Sequence, residues 1–289
     1  MKIFPVLILF SLCSVQSVCQ IITGVVLDNT KGAPLAYVSI GVIGTPLGTI
    51  TNEQGEFTLA VKGESDKAVV RFSMIGFTAQ TFVVAELSNK QNVIRLLGEP
   101  IKLAEVIIRP FAGKLKKAGT LDFTKPGQVC GWSGTEIGKG SEEGLKITLG
   151  PQNVRLRSLH LRVCMQSFDS CLFRLHVRSL VNDLPANELP GENILLLITK
   201  KSGWVEVDLR KYNLVFKGDI ALTIEWIKVI GAHQERVVKF SNSNQAIANN
   251  ILFNVKEGEG CFYKKSANED KWVCDKRQSP CFYLTVQEH

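Results

Sequence analysis

Chemistry-bearing motifs are what this chain of 289 residues has least of. Its four histidines, at positions 160, 176, 233 and 289, form no His-Glu-x-x-His pair, which excludes the helical zinc-protease arrangement. No serine occupies a Gly-x-Ser-x-Gly elbow, so the nucleophile turn of α/β hydrolases is absent too. Gly138-Lys139-Gly140 lacks the spacing of a phosphate-cradling loop. Glu142 and Glu143 read as loop neighbours, whereas a glycosidase pair needs a defined separation across a cleft. There is no Cys-x-x-Cys spacing and no histidine beside a cysteine pair; no metal ligands and no cofactor are expected. Beyond the N-terminal segment no run of 18 apolar residues occurs, so no helix of the mature chain should span a membrane.

What is present begins with an export signature. Lys2 precedes the apolar run Ile3–Phe10, and the small residues Ser17 and Cys19 stand at −3 and −1 before Gln20. This suits a cleaved signal peptide over residues 1–19. Leu12 before Cys13 and Val18 before Cys19 are poor residues to precede a lipidated cysteine, so a lipid anchor is not expected. The net charge of +7 falls to +6 once Lys2 leaves. That is too little to announce nucleic acid, and it suits acidic partners such as an anionic glycan. Hydrophobic residues make up 45% of the chain, enough for packed cores and for two domains of about 100–200 residues each.

Residues 20–109 carry short strands punctuated by Gly, Pro and Asn, with alternation clearest at Phe57, Leu59 and Val61. Asn52-Glu53-Gln54-Gly55 is a tight-turn sequence, and no helical periodicity is visible. Seven strands are expected, with Leu103–Ile108 as an edge strand or lead-out. The set Gly24-Val25-Val26, Gly32-Ala33-Pro34-Leu35, Gly48-Thr49-Ile50-Thr51-Asn52, Gly55-Glu56-Phe57 and Phe72-Ser73-Met74-Ile75-Gly76-Phe77 resembles the carboxypeptidase-regulatory-like domain. That resemblance covers about residues 21–98. It implies a transthyretin-like, or prealbumin-like, sandwich that serves as an accessory module in Bacteroidetes envelope proteins. The family's companions are not expected here. The segment after Arg109 is too short for a receptor plug and large barrel, and the zinc-peptidase motif is missing.

Residues 110–118, with Pro110, Gly113 and lysines at 114, 116 and 117, read as a linker. Residues 119–289 read as a larger, jelly-roll-like β-sandwich of about ten strands, with a short helix allowed only in Asn242–Asn250. The fold class expected is therefore all-β, a small sandwich followed by a larger one. Six cysteines, Cys130, Cys164, Cys171, Cys261, Cys274 and Cys281, fall in this second part. In an exported chain they are disulfide candidates, with 15 pairings open. Strand parity disfavours Cys164–Cys171, because the two residues share faces with different neighbours.

Two groups of residues are candidate binding sites. His160 and Arg162 alternate outward on one strand, and Arg174, His176 and Arg178 do so on the next, with Arg155 and Arg157 extending the set. If those strands pair, they make a basic ribbon. Glu206 and Asp208 are the expected compensating charges, and an acidic ligand such as a sulfated or uronic glycan is the functional alternative. Among the tryptophans, Trp226 has core parity, while Trp132 and Trp204 are the candidates for stacking on a ligand. These readings favour an exported, non-catalytic envelope protein with an accessory or structural interaction role, whether periplasmic, outer-membrane-associated or secreted. Its partner would be an envelope protein or an anionic glycan. The alternatives are a carbohydrate- or peptide-binding module in nutrient capture, and a hydrolase with an unrecognised site.

Overall fold

The computed structural model describes residues 19–63, 66–87, 90–99, 113–124, 128–133, 139–189, 192–233, 238–239, 246–247, 250–266, 268 and 271–288. The protein is all-β, and its apolar residues gather into two main cores.

The first domain is a pair of four-stranded sheets. One is ordered Glu56–Lys62, Cys19–Asp28, Gln91–Gly98 and Phe77–Thr78, with Gln91–Gly98 parallel to Cys19–Asp28. The other is ordered Gly48–Ile50, Ser39–Val42, Val69–Ser73 and Gln80–Val83. Alternation sends Phe57, Leu59 and Val61 inward, where they meet Ile22, Ile40, Phe72 and Leu96. Phe72 presents its edge or face to Phe57 and Phe82 at centroid distances of 5.3 and 5.9 Å. Burying each such ring contributes about 2–3 kcal/mol. The Asn-x-x-Gly turn works because Asn52 Oδ1 accepts the N–H groups of Gln54 and Glu56, while Gly55 takes φ 75°. Two expectations fail here: the described residues hold eight strands and not seven, because Phe77–Thr78 and Gln80–Val83 pair into different sheets, and Val84–Leu87 is a turn of α-helix. Four residues are too few for a 3.6-residue period to show in sequence. Leu103–Ile108 lies outside the described residues.

The second domain packs two large sheets face to face. The eight-stranded sheet runs Val129–Ser133, Asn250–Glu257, Val154–Gln166, Phe282–Glu288 and Leu115–Gly119, with Gly203–Asp208, Val215–Phe216 and Gln278–Pro280 paired onto it. The seven-stranded sheet runs Leu184–Glu188, Phe168–Val181, Asp219–His233, Glu142–Thr148, Cys261–Lys264 and Val273–Asp275, with Ile194–Ile198 beside Phe168–Val181. Between them lies an aromatic core. Trp132 stacks on Trp226 at 5.8 Å, and Phe173 touches Trp132, Trp226 and Phe253.

The chain passes from one sheet to the other at Ser167. Its N–H and Oγ both donate to the Asn250 carbonyl, and its Oγ accepts from the Asn250 N–H. This corner corrects the basic-ribbon expectation. Val154–Gln166 and Phe168–Val181 are consecutive in sequence but belong to opposite sheets, so their basic residues face opposite sides of the domain. Two smaller corrections follow. Leu115–Gly119 is an edge strand on Phe282–Glu288 rather than linker; lysine-rich composition suits a solvated sheet edge as well as a linker. Glu142 and Glu143 open the strand Glu142–Thr148 instead of lying in a loop. Within Asn242–Asn250 the described residues Ala246–Ile247 are strand, and most of the segment lies outside the described residues.

Candidate functional site

The densest polar cluster sits on the outer face of the seven-stranded sheet. Register builds it. Arg174 lies opposite Glu225, Glu225 opposite Glu142, and Glu142 opposite Lys264. One row across four strands thus reads cation, carboxylate, carboxylate, cation. Two facing carboxylates repel, and the flanking cations offset this. Arg174 Nη1 donates to Glu225 Oε2 at 2.8 Å, and Lys264 Nζ lies 2.8 Å from Glu142 Oε1. Arg178 donates from both terminal nitrogens to Glu142, at 2.5 and 3.1 Å, and its Nε lies 3.0 Å from Glu188. His176 sits between Glu188 and Glu225, one on each ring nitrogen at 3.1 and 3.0 Å.

These groups are buried: Arg174 is 1% exposed and Glu225 0%. Burial alone pushes the Glu225 carboxyl up, but Arg174 and His176 outweigh it and hold the group at about 2. Burial likewise opposes Glu142, and Arg178, His176 and Lys264 keep it well below the usual carboxylate range. Burial also works against charge on His176, yet Glu142 and Glu188 raise its pKa. Glu143 points the other way along its strand and has no such cation among the described residues. Burial pushes it up to about 7, and a hydrogen bond with Cys130 lowers it only in part.

The cluster is closed over by the first domain. Ser39 Oγ donates to Glu225 at 2.5 Å and accepts from Arg174 at 3.2 Å, and Arg174 Nη2 donates to the Tyr37 carbonyl. Tyr37 holds a left-handed backbone, φ 64°, a conformation costing about 1–2 kcal/mol for such a residue. Ile50 packs with Leu172 and Ile227 beside this contact. Gly41 and Gly48 allow the approach of a second-domain loop. A Cβ at Gly48 would lie 2.7 Å from Ser266 Oγ, and one at Gly41 only 3.1 Å from Asn268 Nδ2. Asn268 in turn donates to the Arg71 carbonyl. The arrangement is a joint between domains, with its polar groups spent on one another.

A second cluster lies on the outer face of the eight-stranded sheet. Trp204 is the cross-strand partner of Arg162, Glu206 that of His160, and Tyr283 lies on His160's other side. The Arg162 guanidinium sits over the Phe123 ring at 4.6 Å and the Trp204 ring at 5.5 Å. Trp204 meets Tyr283 edge to face at 5.0 Å, and His160 stacks flat on Tyr283 at 4.2 Å. Lys117 Nζ stands 5.1 Å above Tyr283. Burial holds the His160 pKa down; Glu206 opposes this and Lys117 adds to it, so the ring is neutral at pH 7 and anchored to Ser158 and Thr285.

The expected site residues therefore separate. Arg174, His176 and Arg178 are buried and paired, which corrects their reading as a ligand face; their partners are Glu142, Glu188 and Glu225. Of the expected compensators, Asp208 pairs with Arg210, and Glu206 lies 3.9 Å from His160. Trp132 is 7% exposed, a core residue whose Nε1 donates to Ser141. Arg162 and Trp204 come together, half-buried, on the opposite side of the domain. The cysteines Cys130, Cys164, Cys171, Cys261, Cys274 and Cys281 are all free thiols, so none of the disulfide candidates is paired. Cys164 and Cys171 lie in opposite sheets. No group of three or more His, Cys, Asp or Glu that could hold a metal ion occurs among the described residues.

A search of curated proteins gave no match to this chain. Among solved structures, the cysteine protease and lectin-like domains of Cwp84, a surface layer associated protein of Clostridium difficile, align with a TM-score of 0.33 at 10% identity, over 93% of this chain and 58% of that one. Infectious bursal disease virus Gt strain aligns at 0.19 and 10% identity, over 94% and 63%. The chain spans less than two thirds of either structure, and neither score defines a shared fold. The family comparison speaks to the first domain: residues 22–108 match the model described as CarboxypepD_reg-like domain. The first domain of this protein is a carboxypeptidase-regulatory-like domain.

Proposed function

We propose that this protein is an exported, non-catalytic component of the cell envelope, in which the first domain is a fixed mount and the second carries the interactions. The observation that carries the reading is the joint. The residues best equipped for acid–base work, Glu142, His176 and Glu225, are committed to Arg178, Arg174 and Lys264 under the first domain. A catalytic acid or base needs reach to a substrate proton, and these three groups are buried among their partners. Export is supported by the N-terminal sequence itself, where Lys2 precedes the apolar run Ile3–Phe10 and the small residues Ser17 and Cys19 stand before Gln20.

The test is to express the full chain, fractionate the cells, sequence the N-terminus and assay the exported protein on peptide, ester and glycoside reporters. The expected result is a chain beginning at Gln20 in the exported fraction, with no turnover. A cytosolic chain retaining Met1 overturns export. Turnover that disappears in Glu225→Gln or His176→Gln overturns the non-catalytic reading.

A further inference from the structure

The face around Arg162 differs from the joint in what its charges lack. Among the described residues no carboxylate pairs with Arg162 and its side chain makes no hydrogen bond; its Nε is buried without a partner. The guanidinium is nevertheless fixed, between Phe123 and Trp204. Phe123 is itself placed by its neighbours, since Thr120 N–H donates to the Phe282 carbonyl and Cys281 Sγ to the Asp122 carbonyl. Trp204 is also tied, its carbonyl accepting from Lys200 Nζ at 2.7 Å. A cation that has already lost its side-chain freedom binds an anion with less entropic cost, and guanidinium matches the two oxygens of a carboxylate or sulfate. Half-exposed Trp204 supplies an apolar face beside it, and Lys117 a second cation over Tyr283.

We propose that this face binds an anionic polysaccharide, with the acid group of one sugar on Arg162, its ring against Trp204 and a neighbouring acid group within reach of Lys117. Resting on the reading of the second domain as the interacting one, this names the ligand class. The charge pattern favours an acidic glycan over nucleic acid. A phosphodiester backbone is held by a stripe of cations, whereas here Arg162 and Lys117 stand apart, with exposed Glu206 and Asp208 on the same strand face as Trp204, a pattern that suits a sugar ring on Trp204 beside single acid groups.

The experiment measures binding of the full exported chain to polygalacturonate, dextran sulfate, neutral dextran and a single-stranded DNA oligomer, at low and high salt. The first two are expected to bind, salt-sensitively, and their ratio separates carboxylate from sulfate. Arg162→Gln should lose about tenfold or more in affinity, and Trp204→Ala about fivefold. Arg277→Gln, which removes an equal charge from the exposed pair with Asp275, should leave affinity unchanged. Arg162→Lys keeps the charge without the fork and should also weaken binding, which covers the case that Arg162→Gln misfolds. Neutral dextran binding as well as the acidic polymers, DNA binding best, or Arg277→Gln weakening binding as much as Arg162→Gln, each overturns the site. An exported, non-hydrolysing chain that binds none of the polymers overturns the site alone and leaves the reading of the whole protein standing.

Discussion

Phe168–Val181 places Arg174, His176 and Arg178 on the outside of one sheet of the second domain, and Val154–Gln166 places His160 and Arg162 on the outside of the other. In sequence the two strands look alike, with basic residues alternating against an apolar row. In the fold their fates diverge. The first set is covered by the regulatory-like domain, and its cations meet Glu142, Glu188 and Glu225. The second set meets rings instead, Phe123, Trp204 and Tyr283, and stays half-exposed. The difference teaches that residue type on a strand does not decide between joint and binding face. What decides is which acidic strand lies next door, and whether another domain lands on top.

The sharpest way to break the comparison is to truncate the equivalent cation on each face. Arg174→Ala leaves Glu225 buried and without its principal cation, and should cost about 3–5 kcal/mol in urea unfolding. Arg162→Ala loses two cation–ring contacts and leaves no buried carboxylate behind, so about 1 kcal/mol is expected. Equal losses would mean that the two faces do the same structural job. The Arg174→Ala loss should also loosen the joint, read as faster amide exchange in Ser39–Val42.

A second test uses acids within the same domain that differ only in company. Glu142 and Glu225 have cations, and Glu143, one residue along, has none among the described residues. Folded-state pKa values for Glu142 and Glu225 lie below the unfolded value, so their stabilisation is present above about pH 4.5 and is lost as pH falls toward the folded values, about 2 for Glu225. Glu143 has the opposite sign. Between pH 4.5 and about 7 the unfolded chain has released this proton and the folded chain keeps it, so stability declines across that window, by about 3 kcal/mol in all. The raised His176 contributes fully below about pH 6.5 and is lost as pH rises through its folded value. Stability should therefore peak near pH 4.5–5 and fall on both sides. Glu143→Gln should flatten the limb between pH 4.5 and 7 and leave the acid limb unchanged. A Gln variant with the parent's pH profile would show that Glu143 is ionised in the fold.

Much of this was legible in the residues, and the reasons for the remainder are physical. The Asn-x-x-Gly turn and the alternation of Phe57, Leu59 and Val61 are local, so sequence displays them. Ile220, Leu222, Ile224 and Trp226 alternate toward the core, which also places Ala221, Thr223 and Glu225 outward. That signal could have marked Glu225 as a partner for Arg174. It could not say that Asp219–His233 lies beside Phe168–Val181, because strand order is set by long-range pairing and no local pattern encodes it. The corner at Ser167 is invisible for the same reason; a short connection between alternating strands reads as a hairpin in one sheet. Trp132 reads as a surface candidate because Gly131 and Gly134 flank it, whereas the described Val129–Ser133 pairs with Asn250–Glu257 and turns the indole into the core.

The smallest expected effect concerns the rim of the joint. Lys228 Nζ lies 2.6 Å from Glu53 and 5.2 Å above the Tyr37 ring, and Tyr37 Oη donates to the same carboxylate at 3.1 Å. Geometrically this pair is as close as Arg174–Glu225. It differs in solvent access, since the Glu53 side chain is 60% exposed and Glu225 is fully buried. Water and salt screen such a pair, so a double-mutant cycle between Lys228→Ala and Glu53→Ala should give a coupling of about 0.5–1 kcal/mol that shrinks in high salt. The matching cycle between Arg174 and Glu225 should be several times larger and nearly salt-independent, because no counter-ion reaches it. If the rim pair couples as strongly as the central one, the domains are held by their exposed margin. The buried row would then be a consequence of docking and not its cause.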